Sequence, residues 1–244
     1  MASRVVLLTS EGEAGRIAAG YLAVRFPEFA VIIEQPESRA VFLRRRLKRL
    51  GFLTVAGQIA FMMLQRVQQV RARRRIKSIL AAHGLGEGTP AAVPVTHAPS
   101  VNSADAVAAL KRLDPAAVLV MGTRIISAEV LRGVHAPFIN YHAGVTPKYR
   151  GVHGGYWALA AGDRDHCGCT VHLVDEGIDS GAILYQARIE PGADDNFSTY
   201  PYIQLATGLP LLAMAAEDAL AGRLRRQTSG LPSRLWSHPT IWAY

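Results

Sequence analysis

The 244-residue sequence predicts an α/β fold built on a doubly wound, mostly parallel sheet. Three observations carry this expectation. Short, wholly apolar runs such as Val5-Val-Leu-Leu8 and Ala117-Val-Leu-Val-Met121 have the pattern of strands buried on both faces. Stretches with helical spacing alternate with them, as parallel crossovers require. Half of the residues are apolar and 19% are charged, enough to build a core and too apolar for a disordered chain. The full expectation is a Rossmann-like sheet with a helical insertion and a short C-terminal extension.

In order, Val5–Thr9 reads as the first strand, and Ala14–Arg25 as a helix closed by Pro27. The start, Met1-Ala-Ser-Arg, runs into that strand without the cationic start and long apolar core of a signal peptide. Ala30–Glu34 is the second strand and Ala92–Val95 a brief third. Ser103 stands as N-cap before a helix over Ala104–Leu113. Pro115–Met121 is a further strand, Ser127–Leu131 a short helix, Phe138–His142 a strand and Val152–Ala161 a helix. Beyond Cys169 come strands at Thr170–Val174 and Ala182–Ile189, joined by the polar loop Asp175–Gly181. A helix over about Ser198–Ala221 and a tail with two prolines and two tryptophans complete the chain. The expected organisation is one domain over 1–224, interrupted by an insertion at about 38–84, with a tail at 225–244.

Cys167 and Cys169 lack the spacing of a zinc or thioredoxin-like pair and read as small residues on one strand face in a reducing cytoplasm. No metal site is expected. The formal net charge of +8 is concentrated. Between Arg39 and Lys77 lie 12 Lys or Arg and no Asp or Glu, leaving 15 basic and 19 acidic residues elsewhere. The basic character therefore belongs to one segment.

One stretch points to chemistry. In "FINYHAGVTPKYRGVHGG", Phe138–Gly155, an apolar strand ends in Asn140 and His142, followed by a turn-rich loop. Side chains two apart in a strand share a face. Ligands of open parallel sheets bind beyond the carboxyl ends of strands, where the acidic loop Asp175–Gly181 also falls. Either residue alone is explained by packing; the amide, the imidazole and the carboxylates at one sheet edge together suggest catalysis.

These residues resemble the folate-dependent formyltransferase family, which includes glycinamide ribonucleotide, methionyl-tRNA and sugar N-formyltransferases. The resemblance lies in "NYHAGVTPKYRGVHGGYWALAAGDRDHCGCTVHLVDEGIDSGAILYQ", Asn140–Gln186, with its Asn-x-His, proline loop, Thr-Val-His strand and Asp-x-Gly. It extends more weakly over Ala104 to about Leu224, and in the N-terminal half only in strand order. It implies Asn140, His142 and Asp179 as the catalytic triad and 10-formyltetrahydrofolate as co-substrate. It also implies a folate site at Thr123, Arg124, Ile125 and Ile126 and, across from them, Val174, Asp175, Glu176, Gly177 and Ile178. An amide and a protonated imidazole would each donate to the oxyanion, with Asp179 raising the pKa of His142. His172 reads as a buried structural histidine, and His153 as a support for the loop or a contact to the acceptor.

The chain also departs from that family. "TSEGEAGR", Thr9–Arg16, stands where a glycine-rich phosphate loop is found, with Glu11 and Glu13 disfavouring an anion. Gly144-Val-Thr-Pro147 replaces the usual proline loop. About 20 residues follow the last helix, so a nucleic-acid-binding domain and initiator tRNA are not expected.

The basic segment Phe42–Leu80 shows helical periodicity at Leu43, Leu47 and Leu50 and again at Val67, Val70, Ile76 and Leu80. Its 16 uncharged residues between Arg49 and Arg66 fall short of the ~20 of a spanning helix. A helical hairpin packed on the core, a helix lying on an anionic membrane surface and a homodimer contact all stay open. Nucleic acid is not expected, because only Phe52 and Phe61 are interleaved for stacking. The expected function is transfer of a formyl group to a small amine, by preference an amino sugar, free or nucleotide-linked, in the cytoplasm or peripherally at the inner membrane face. The alternatives are hydrolysis of 10-formyltetrahydrofolate and a non-catalytic folate-binding scaffold.

Overall fold

A computed structural model describes residues 4–86, 88 and 92–244, so Met1–Ser3 of the expected start lie outside the described residues. The elements run β1 (Val5–Ser10), α1 (Glu13–Ala23), β2 (Phe29–Glu34), α2 (Arg39–Leu50), α3 (Phe52–Arg71) and α4 (Arg73–Ala82). Then come β3 (Val95–Ala98), α5 (Ala104–Leu113), β4 (Ala117–Met121), α6 (Ala128–Gly133), β5 (Phe138–His142), β6 (Arg150–Gly151) and α7 (Gly154–Ala160). The last are β7 (Gly168–Leu173), β8 (Ile183–Arg188), α8 (Tyr200–Leu220) and β9 (Leu235–Trp236).

The main sheet has the order β3-β2-β1-β4-β5-β7-β8. Its first five strands are parallel, and β7 and β8 add antiparallel neighbours at one edge. The apolar strands are explained by two buried faces. Val5, Leu7, Leu119 and Ile139 pack with α1, α4 and α8 on one side; Val6, Leu8, Val118 and Val120 pack with α5 and α6 on the other. Ser103 caps α5 as its sequence position suggests, accepting from the Ala106 N–H.

Two elements differ from expectation. The third strand begins at Val95 rather than ending there, because Pro94 has no N–H and gives the ladder only its carbonyl, which accepts from Val31 N. The basic segment forms three helices rather than a hairpin. Its last, α4, buries Ile76, Ile79 and Leu80 in the same core as α1 and α8. Only α2 and α3 stand off the sheet. The tail folds back: β9 pairs with β6, and Ile241 N donates to the Gly57 carbonyl of α3 at 2.9 Å. Gly57 leaves room there for the Trp242 ring, which a Cβ would approach to 2.3 Å.

Candidate active site

Strand alternation sends Ile139 and Tyr141 into the helical layer, leaving Asn140 and His142 together on the opposite face. The antiparallel register sets His172 of β7 directly beside Asn140. Asp179 arrives from the loop after β7. Its φ of 49° is left-handed, and the Gly151 N–H holds its Oδ2 at 2.9 Å. Gly151 has φ 91°, and a side chain there would meet the Trp236 carbonyl, so glycine is what brings that N–H to the carboxylate.

Four side chains thus converge. Asn140 Nδ2 lies 3.0 Å from His172 Nε2 and 3.3 Å from Asp179 Oδ1. His142 Nδ1 lies 3.4 Å and His172 Nε2 3.6 Å from the same carboxylate. His142 Nε2 is 2.7 Å from the Tyr149 carbonyl, which only accepts, so Nε2 carries the hydrogen. By the same reasoning His172 donates through Nδ1 to the Leu173 carbonyl at 2.8 Å, leaving Nε2 to accept from Asn140. The partners define the tautomers.

Burial lowers the pKa of His142 below 6.5, and the opposing pull of Asp179 and the Tyr149 carbonyl only partly offsets it. The sequence led us to expect a net rise from Asp179; in the structure desolvation is the larger effect. Burial alone would raise Asp179, but the nearby His172 and His142 rings and the Gly151 N–H together hold it below the usual carboxylate value.

These groups open onto a cavity of about 550 Å³, within the range of small-molecule sites. Eleven of the twelve expected site residues line it: Asn140, His142, Asp179, the run Thr123–Ile126, Val174, Asp175, Gly177 and Ile178. Glu176 does not. Its carboxylate turns outward to Arg132 at 3.0 Å, both side chains being largely exposed. Arg124 lines the cavity, but its guanidinium is held by Glu34 at 2.7 Å and by the carbonyls of Gln35 and Pro99. Buried Glu34 also accepts from the N–H groups of Val101 and Arg124, tying the 122–126 loop to the end of β2. Asp175 accepts from Gly177 N and Ser180 Oγ, which shapes the facing loop.

The opposite wall holds Gly151, Val152, His153 and His238. His153 Nε2 meets His238 Nδ1 of the tail at 3.1 Å. Burial pushes both rings down to about 4, with the charge of His153 and of Arg46 adding to the effect at His238. Behind them stands α3. Phe61 packs edge-on against His153, and buried Gln58 donates to the His238 carbonyl at 2.9 Å. His238 carried no signal in the sequence. His172 did, in the alternation Thr170-x-His172, but its neighbour on β5 appears only with the antiparallel register. The loop after β1 lies outside the cavity lining, and Glu13 accepts from the Tyr202 hydroxyl.

The comparisons with known proteins bear on the family and the fold. A formyl transferase family model matches residues 65–202, more than half of the chain and from a point well before Ala104. A methionyl-tRNA formyltransferase of Kosmotoga olearia is 34% identical over 134 residues, covering 54% of this chain and 43% of that protein. The chain thus spans less than half the length of this curated relative. Glycinamide ribonucleotide transformylase 1 from Symbiobacterium toebii has a similar structure, with a TM-score of 0.58 at 20% identity, over 96% of this chain and 95% of that one. A sugar N-formyltransferase from a Shewanella species gives a TM-score of 0.57 at 18% identity, over 95% and 76%. At such identities these two structures speak for the fold. The matched 65–202 stretch contains Asn140, His142, His172 and Asp179, and on that match the chain belongs to the formyl transferase family.

Proposed function

We propose that the chain transfers the formyl group of 10-formyltetrahydrofolate to a small amine, an amino sugar without a phosphate at the reacting end. The observation that carries the reading is the convergence of Asn140, His142, His172 and Asp179 on one cavity. Its two loop walls present the apolar side chains of Ile125, Ile126, Val174 and Ile178, which suit a planar heterocycle such as a pterin.

The acceptor nitrogen attacks the formyl carbon and its oxygen becomes an oxyanion. Asn140 supplies the donor. Its hydrogen bond to Asp179 Oδ1, 3.3 Å from nitrogen to oxygen and at the long end of the range, is the one the oxyanion takes over. One such donor contributes about 2.7–4 kcal/mol. With Nε2–H held by the Tyr149 carbonyl, His142 accepts the proton of the amine at Nδ1, where Asp179 stabilises the imidazolium. The proton then passes to N10 of the folate as the bond from carbon to N10 breaks, giving the N-formyl product and tetrahydrofolate. His142 is therefore a base in the resting site, not the charged donor anticipated from sequence. His172 is a positioning residue that fixes the Asn140 amide.

The choice of acceptor rests on charge. Among the described cavity-lining residues Arg124 is the only Lys or Arg, and Glu34 already pairs with it. His153 and His238, with pKa values of about 4, are neutral rings at pH 7. A neutral wall of this kind suits hydroxyls and a free amine and does not reward a phosphate.

The test is a screen of amino sugars, glycinamide ribonucleotide and methionyl-tRNA as acceptors, following tetrahydrofolate and N-formyl product together. The reading expects both products to appear together with an amino sugar. Tetrahydrofolate released in water without N-formyl product would replace it with hydrolysis, and folate binding without turnover with a scaffold.

A further inference from the structure

We propose that the outer face of α3, with the basic residues flanking it, docks on an anionic lipid bilayer, its apolar side chains entering the interface. The observation is an inversion of the usual helix surface. The inner face of α3 is buried through Val55, Gly57, Gln58 and Phe61. Phe52, Ala56, Ile59, Met63, Val67 and Val70 follow at intervals of three or four and lie on the side away from it. Phe52, Met63 and Val70 are 74%, 64% and 65% exposed. A solvated helix face carries polar residues; this one presents an apolar stripe along a helix of 20 residues, roughly 30 Å.

Charge identifies the occupant. Of the basic residues in the segment, Arg45 pairs with Glu37, Arg46 with Gln58 and Arg75 with Asp195. Among the described residues Arg44, Lys48, Arg49, Arg66, Arg73 and Arg74 make no ion pair, and no acidic residue lies between Arg39 and Lys77. A second copy docked by two-fold symmetry would bring these unpaired cations against each other. A nucleic acid would take the cations and leave the apolar stripe in water. A surface with anionic headgroups over acyl chains satisfies both. Among the described residues no helix is long and apolar enough to cross a membrane, so the helix lies in the interface. Its inner face reaches His153 and His238, so bilayer docking and one wall of the cavity share a helix.

Flotation of the full chain with phosphatidylcholine vesicles, with and without phosphatidylglycerol, tests this. Binding is expected to rise at least ~10-fold with phosphatidylglycerol and to fall by a similar factor in Met63→Glu/Val67→Glu and in Arg44→Gln/Lys48→Gln/Arg49→Gln. All five substituted positions are solvent-facing, and circular dichroism with gel filtration checks that both variants stay folded. Absence of binding to the anionic vesicles overturns the proposal. So does a concentration-dependent dimer that Met63→Glu/Val67→Glu abolishes while vesicle binding is unchanged. Vesicle binding that is insensitive to the glutamate pair, together with tighter binding to a DNA or RNA oligomer, would assign the surface to nucleic acid instead.

Discussion

The two walls of the cavity are built in different ways. The wall carrying Asn140, His142, His172 and Asp179 comes from strand ends and one loop within about forty residues of chain. Its geometry follows from strand alternation, one register and a left-handed residue. The facing wall joins His153, the tail and α3, where Gln58 reaches His238 across 180 residues of sequence. It exists only because a helix, a loop and the tail dock together. The difference separates side chains set by local rules from the wall proposed to face the acceptor, which long-range packing sets.

The largest expected effect breaks the first wall. Asp179→Asn, with folding intact, removes the charge that stabilises the His142 imidazolium, and turnover should fall ~10²–10⁴-fold at unchanged fold stability within a kcal/mol or so. Near-normal turnover would move the proton chemistry elsewhere. The wild-type pH profile sharpens the same point: because burial holds His142 below 6.5, the acid limb of kcat/KM should lie below that value, with a plateau at neutral pH.

The second wall predicts a pH dependence of stability. His153 and His238 titrate at about 4 when folded, against about 6.5 unfolded. The unfolded chain binds more protons in between, so stability is full above the unfolded value and is lost as pH falls from 6.5 toward 4, by up to ~3 kcal/mol per ring. Urea unfolding at pH 7 and pH 4.5 measures this, and His153→Phe should flatten the slope. Gly57→Val asks whether the docking matters: its side chain meets Trp242, costs ~1–3 kcal/mol and should raise the acceptor KM while leaving folate affinity nearly unchanged. Equal effects on both substrates would mean that the walls are not separate. The smallest effect is expected at Glu176→Ala, which removes an exposed ion pair with Arg132 and should change folate affinity and stability by less than ~0.5 kcal/mol.

How much of this was visible in the sequence depends on the range of the interaction. Apolar runs located most strands because both sheet faces are covered, and only the third was displaced, by the missing donor of Pro94. Glu176 was expected in the folate loop because composition cannot show which way a loop side chain turns. Arg124 sits where the sequence set it, yet its guanidinium belongs to Glu34, a partner 90 residues away. The basic segment announced helices, but not that α4 is core, that the inner face of α3 backs the cavity, or that its outer face is apolar.

By itself the sequence determined the α/β order, the shared face of Asn140 and His142, and the kinship carried by Asn140–Gln186, since period-two alternation and motif spacing are properties of a single segment. Tertiary structure decided that His172 stands beside Asn140, that a carbonyl fixes the tautomer of His142 and burial its charge, and that His238 closes the cavity. Those depend on which strands pair, how deeply groups are desolvated and where a tail docks. These are free-energy balances among distant parts of the chain, and no local pattern records them.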